Sequence, residues 1–458
     1  MRQILLDLHH IHDHTRVSIA GPPPRRLARP TAKTTIIPDD EAVPAHSLCL
    51  AEDLFGPARE FAEPPVGLLA SAAMPNAPHP ETLLKHLRGE LPAMLVTLAE
   101  FARCESPSTE KTAADRCARL IAHCWKRAGV PVQVIERKHR GAHLRMTHAP
   151  ETAARRAQLL VLGHYDTVYA TGTLDKMPFR IAGGKAFGPG VFDMKAGIVQ
   201  ALYALKALRQ LRAGLSKKIV FLWTSDEEIG SESSRRLIEA EAKRSDAVFV
   251  LEPSLGPEGL FKTARKGVGE AEILVKGRAS HAGLAPEKGV NAIHELALQV
   301  ARTREWNDSR RGISVNAGII EGGTRTNVIP ERARTVVDLR ALYLADMRMI
   351  EKRLRSLKPV LPGAKLEIRG GFNRAPLERR QSAALFRRAR SLAGRMGLEI
   401  GECTAGGGSD GNLTAALGIP TLDGFGAVGD GAHSAREYVV VKTLPERAAL
   451  LAAMLVHS

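Results

Sequence analysis

"KKIVFLWTSDEEIG", residues 217–230, joins a short run of β-branched and aromatic residues to three consecutive acids, Asp226, Glu227 and Glu228. A brief, nearly continuous apolar run of this kind is the pattern of a strand buried on both faces of a parallel sheet. Carboxylates side by side repel one another, and a buried strand end offers little water to screen them. Such a cluster is tolerated either as a solvated loop or because something cationic meets it.

Runs of the same texture flank it, "QLLVLG" (158–163) before and "DAVFVLE" (246–252) after. Helical-period stretches separate them, "MKAGIVQALYALKALRQLRAG" (194–214) and "SSRRLIEAEAKR" (233–244). Upstream, 81–106 and 108–129 read as two helices, the second closed by Gly129, and 130–137 as a strand. Alternation of this kind builds βαβ units, so the expected fold class is α/β with a mixed, mostly parallel sheet. Near residue 266 the texture changes to strand, helix, strand, strand, helix, strand, the order of a split ferredoxin-like (βαββαβ) unit. From about residue 378 the first pattern resumes. The expected organisation is one catalytic domain from 81–265 and 378–458, interrupted by a ferredoxin-like lid or dimerisation domain at 266–377.

The 458 residues are too many for one ordinary core. Residues 1–80 are rich in proline ("GPPPRRLARP", "AEPPVG") and lack a sustained period, so a disordered extension is expected there, with Met74 as an alternative start. Its "HHIHDH" (9–14) has metal-binding side chains but no fold to hold them. The net charge is +16, yet 1–80 carry seven Lys and Arg against nine Asp and Glu; the basic excess belongs to the rest and suits small anionic substrates. Aromatic residues at 4%, with no basic run interleaved by them, argue against nucleic acid as a partner. No unbroken apolar run is long enough to span a membrane, and the N-terminus does not read as a secretory signal. Five cysteines without a Cys-x-x-Cys pair read as reduced thiols, and a cytoplasmic location is expected.

Potential ligands sit where the strands end. In "GHYDTV", His164 and Asp166 lie two apart and share a face, so Asp166 can accept the second imidazole N–H of a metal-bound His164; a loop histidine and a turn aspartate is the competing reading. In "GPGVFDMKAG", Asp193 precedes a strong helix, either as its N-cap or as a carboxylate shared between two ions. If Glu228 binds an ion, its neighbour Glu227 points elsewhere and is aimed at water on that ion, where it can move protons. Glu252 ends another buried strand, and His433 lies in the glycine-rich "GDGAHSAREYV". Sorted together, His164, Glu252, Glu228 and His433 give two metals two terminal ligands each, with Asp193 between them. Nitrogen and oxygen donors in that mix suit zinc, with cobalt or manganese as alternatives.

These stretches, with "TSDEEIGS", "KGRASHAG", "GGTRTNVIP" and "GAHS", resemble the zinc exopeptidase family of glutamate carboxypeptidase, acetylornithine deacetylase and succinyl-diaminopimelate desuccinylase. The resemblance covers 81–458. It implies two zinc ions per subunit held by His164, Asp193, Glu228, Glu252 and His433, with Glu227 as general base and Asp166 behind His164. It implies a homodimer in which His281 reaches the partner subunit's site to stabilise an oxyanion. Asn327, Arg340, Arg374 and Gly408, the last in "GGGSDGN" (406–412), become substrate-binding candidates. Glutamate at 252 together with Arg340 tilts the expectation toward a carboxypeptidase acting on a small peptide or N-acyl amino acid. An aminoacylase or an acetyl- or succinyl-amino-acid deacylase is the alternative, and a non-catalytic binding protein on the same fold the more distant one.

Overall fold

A computed structural model describes residues 77–150 and 158–458. The readings of an N-terminal extension, its histidine run and Met74 fall outside the described residues, apart from the last few positions before residue 81. The stretch read as one helix over 81–106 is two, Pro80–Gly89 and Leu91–Arg103. Gly89 ends the first and Pro92 opens the second, where a missing N–H costs nothing.

Along the chain, the central sheet takes β1 (Val132–Ile135), β2 (His143–His148), β3 (Gln158–His164), β4 (Lys218–Thr224) and β5 (Ala247–Val250). Next come the four long strands of a second sheet: β6 (Gly267–Lys276), β7 (Ser314–Gly322), β8 (Arg332–Ala341) and β9 (Lys365–Arg374). Late in the chain, β10 (Thr421–Leu422) returns to the first sheet, whose order is β1-β2-β4-β3-β5-β10. Its β4-β3-β5-β10 part is parallel, while β1 and β2 run antiparallel at one edge. Sequence reading passed over β2, whose "HLRMTH" lacks the apolar density of its neighbours.

Both faces of β3, β4 and β5 are covered, which is why their sequences do not alternate. Leu159, Val161, Phe221 and Phe249 face the helices Ala196–Gln210 and Leu444–Val456; Leu160, Leu162, Val220 and Val248 face Ile238 and Leu413. Trp125 packs edge-on at 5.7 Å from Trp223 and at 4.7 Å from Phe221, all three fully buried. Burying each such side chain contributes about 1.5–3 kcal/mol.

The second sheet is antiparallel, in the order β7-β8-β6-β9. Along β6 and β8 buried and open positions alternate, so only one face is covered. That face has a core of its own, including Ile273, Val275, Leu296, Val337, Leu339 and Ile350, beneath the helices Ala292–Arg304 and Leu344–Arg355. No helix among the described residues is long and apolar enough to cross a membrane.

Candidate metal centre

The sheet order itself marks a site. From β3 the chain passes to β4 on one side and then to β5 on the other, which opens a crevice at the carboxyl ends of these strands. His164 is the last residue of β3, Glu227 and Glu228 lie in a single 3-10 turn just past β4, and Glu252 follows β5.

Two groups of side chains converge there. His164, Asp193 and Glu252 form one, and Asp193, Glu228 and His433 the other, with Asp193 common to both. His164 Nε2 stands 3.3 Å from Asp193 Oδ1 and 3.5 Å from Glu252 Oε1; His433 Nε2 stands 3.5 Å from Asp193 Oδ2 and 3.1 Å from Glu228 Oε2. The two oxygens of Asp193 thus face different histidines. Behind His164, Nδ1 lies 3.0 Å from the carbonyl oxygen of Asp166 and 3.4 Å from its Oδ1. The Asp166 carboxylate also accepts the amides of Glu227 (3.3 Å) and Glu228 (3.2 Å) and the Ser108 hydroxyl (2.7 Å), locking the acidic turn to the end of β3. His433 has φ 60, a left-handed conformation that a residue with a Cβ adopts only when its surroundings impose it.

Electrostatics follow from this crowding. Burial pushes Glu227 up to about 8, helped by the charges of Glu252 and Asp410 and opposed by Arg374. Burial likewise raises Glu228, against the pull of His433. Hydrogen bonds to Asp193 and Glu228 lift His433 to about 10 against its partial burial. For His164, burial favours the neutral ring, but Asp166, Asp193 and Glu252 together overcome it and raise the pKa well above the ordinary value. Protons settle on the imidazoles because the carboxylates demand positive charge.

The description "Peptidase family M20/M25/M40" fits residues 160–457, about two thirds of the chain, and spans every one of these ligand candidates. The chain belongs to this family. Carboxypeptidase G2 of Pseudomonas sp. (strain RS-16) is 34% identical over 299 residues, covering 63% of this chain and 71% of that protein. Acetylornithine deacetylase of Myxococcus xanthus is 29% identical over 332 residues, 66% of this chain and 80% of the relative. Among solved structures, the aminopeptidase PepT of Bacillus cereus superposes with a TM-score of 0.65 at 23% identity, covering 82% of this chain and 98% of that one. Membership makes the protein a metal-dependent, carboxypeptidase-like hydrolase.

The side chains fit divalent ions. Donors about 2.0–2.1 Å from one tetrahedral zinc stand about 3.3–3.4 Å from each other. The histidine–carboxylate separations here, between 3.1 and 3.5 Å, bracket that edge length. Asp193 Oδ1 is buried and has only the 3.3 Å approach of His164 Nε2, without good hydrogen-bond geometry, which leaves it open to an ion.

Other residues singled out from sequence lie elsewhere or are already engaged. Arg374, the last residue of β9, donates from Nη1 to Glu227 Oε1 at 2.6 Å, and from Nη2 to Ser231 Oγ (2.6 Å) and Asp410 Oδ1 (3.1 Å). Gly408 lies beside it: a Cβ there would stand 3.7 Å from Arg374 Cδ and 2.7 Å from Val268 Cγ2. Arg340 spends its guanidinium on Asp338, two residues earlier on the same face of β8. His281 and Asn327 meet in a small two-stranded ladder, where His281 pairs with Val328 and the Ala282 amide donates to the Asn327 carbonyl. Among the described residues, no hydrogen bond or ion pair joins His281, Asn327 or Arg340 to the metal-facing groups.

Sequence reading missed two supports. Arg265 holds Glu252 Oε2 at 3.2 Å and Asp423 Oδ2 at 2.7 Å, and donates to the carbonyls of Gly407 and Gly408. Glu437, fully buried, accepts amides from the segment that carries Asp193. The immediate sequence of neither names its partner, which only the fold supplies.

Proposed function

We propose that this chain is a two-metal amidohydrolase that removes a C-terminal amino acid from a small peptide or N-acyl amino acid, with zinc at both positions and cobalt or manganese as functional substitutes. One observation carries the reading: two ligand groups share the single carboxylate of Asp193, and a further glutamate, Glu227, stands beside them without belonging to either. Divalent ions bound there polarise the scissile carbonyl and acidify water. Glu227 takes the proton of the attacking water and delivers it to the departing nitrogen; a carboxyl shifted toward neutrality serves both transfers. Asp166 fixes the ring of His164 and, through two amides, the direction of the Glu227–Glu228 turn.

Arg374, which holds Glu227, and Gly408 beside it form the pocket for the substrate's α-carboxylate, with Asn327 and Arg340 as further substrate contacts once the small domain closes. In this organisation 266–377 is an inserted lid, and His281 of the partner subunit completes the oxyanion site of a homodimer. Support for pairing comes from β7, an edge strand whose Ile319 (50% exposed) and Ile320 (61%) are open, as an unpaired edge in search of a partner would be. A cytoplasmic setting agrees with Cys104, Cys117 and Cys124 standing as thiols.

A second reading, an acetyl- or succinyl-amino-acid deacylase, is favoured by the likeness to acetylornithine deacetylase. A panel of dipeptides ending in glutamate or other residues, their C-terminal amides, and N-acetyl and N-succinyl amino acids separates the two, with metal content measured alongside. The carboxypeptidase reading expects cleavage of peptides with a free α-carboxylate and none of the amides. Turnover confined to N-acyl amino acids would install the deacylase reading instead.

A further inference from the structure

Glu437 is a fully buried carboxylate that forms no ion pair with any lysine, arginine or histidine among the described residues. A buried charge without such a partner is costly unless hydrogen bonds meet it. Here its Oε2 accepts the Gly190 amide at 2.9 Å, and its Oε1 accepts Phe192 at 2.7 Å and Asp193 at 3.0 Å. Those amides need an outside acceptor. The segment departs from helical geometry at Asp193 (φ −113, ψ 94) and Met194, and the regular helix starts only at Ala196. Without Glu437, two buried donors and a half-buried one would lose their acceptor next to the shared ligand.

The same residue lies four positions after His433, in the same loop. That loop is fastened a second time by the Tyr169 hydroxyl, which donates to the Ser434 carbonyl at 2.9 Å. One carboxylate therefore joins the two segments that bring Asp193 and His433 together. Neither His164 nor Glu252 sits on a segment that Glu437 holds. The ion position formed by Asp193, Glu228 and His433 takes ligands from both tethered segments, whereas the other takes only Asp193 from them.

We infer that Glu437 is a positioning residue for the Asp193–Glu228–His433 ion position, fixing the shared carboxylate against His433. The inference rests on the two-metal reading. Full-length protein stripped by chelator is titrated with cobalt alone, following the visible absorption of bound cobalt and competition with a chromophoric chelator, for the native chain, Glu437→Gln and Glu437→Asp. Glutamine keeps the volume but turns one acceptor into a donor facing amide N–H groups; aspartate keeps the charge on a shorter arm. The expected result is two cobalt ions for the native chain. In E437Q one ion binds as before and the second about 10–100-fold more weakly, with an altered absorption band; E437D recovers part of the loss. Turnover in E437Q should fall in kcat with little change in KM. If E437Q does not fold, E437D decides, since a second-ion affinity equal to that of the native chain overturns the inference. Equal weakening of both ions in E437Q, or two unchanged affinities with an unchanged spectrum, also overturns it. A native chain that binds no cobalt would instead bring down the two-metal reading itself.

Discussion

The crevice at the ends of β3–β5 and the open face of the β6–β9 sheet are both crowded with charge, and they accommodate it by opposite means. On the open face guanidinium groups in reach of water meet the acids: Arg334 lies between Glu321 at 2.9 Å and Glu272 at 3.0 Å, Arg369 holds Glu367 at 2.8 Å, and Arg340 holds Asp338. In the crevice, Asp193, Glu227, Glu228 and Glu252 are largely withdrawn from solvent, and the two arginines nearby, Arg265 and Arg374, are each shared between more than one acid. Exposed pairs balance themselves and contribute little. Buried carboxylates in excess require a cation from outside, so a surplus of acid inside a protein marks a site where an equal surplus outside marks nothing.

The largest effect that would sharpen this contrast lies at Glu227. Its replacement by glutamine should lower kcat by about 10²–10⁴-fold while both ions stay bound, if it moves protons and ligates nothing as proposed. Loss of metal in that variant would instead make it a ligand. Asp193→Asn comes next. A shared carboxylate serves both positions, so metal analysis should find both ions bound weakly or lost, and the dependence of melting temperature on added zinc should disappear.

The third expectation concerns pH. With the ions stripped by chelator, His433 carries its proton up to about 10 and His164 well above the ordinary range, so both rings are cationic at neutral pH. A raised histidine contributes stability that is complete below the unfolded value, about 6.5, and is lost as the pH climbs through the folded one. Refilling the site at pH 7 must therefore expel at least the two ring protons per chain, with the proton of Glu227 adding to them, readable by calorimetry in buffers of different ionisation enthalpy. Metal uptake with no proton release would contradict the charge balance described here. The smallest effect is on the open face: Arg334→Ala should leave melting temperature and turnover unchanged within error, and a marked loss of either would break the comparison.

How much of this was legible follows from where each contact is made. His164, Asp193, Glu228 and Glu252 announce themselves because a polar residue directly after a buried strand, or directly before a helix, is conspicuous in the sequence; the parallel strand order then brings those ends together. His433 was legible only beside the others. Glu437 was not, since its bond to Asp193 spans 244 residues, and neither was the Arg265 bond to Asp423, which spans 158. Arg340 could have been read more fully, because Asp338 two residues earlier on a strand must share its face. The helix break at Gly89 and Pro92 was likewise local and readable, whereas β2 has no apolar pattern and takes its place only by pairing with β4.

The account stands on two ions sharing Asp193. Crystals of protein purified without added metal or chelator, measured for anomalous scattering on either side of the zinc edge, test that directly. The account predicts two peaks per chain, about 3.5–4 Å apart, one between His164 and Glu252, the other between Glu228 and His433, both touching Asp193. A single peak, or peaks that do not contact Asp193, would contradict it.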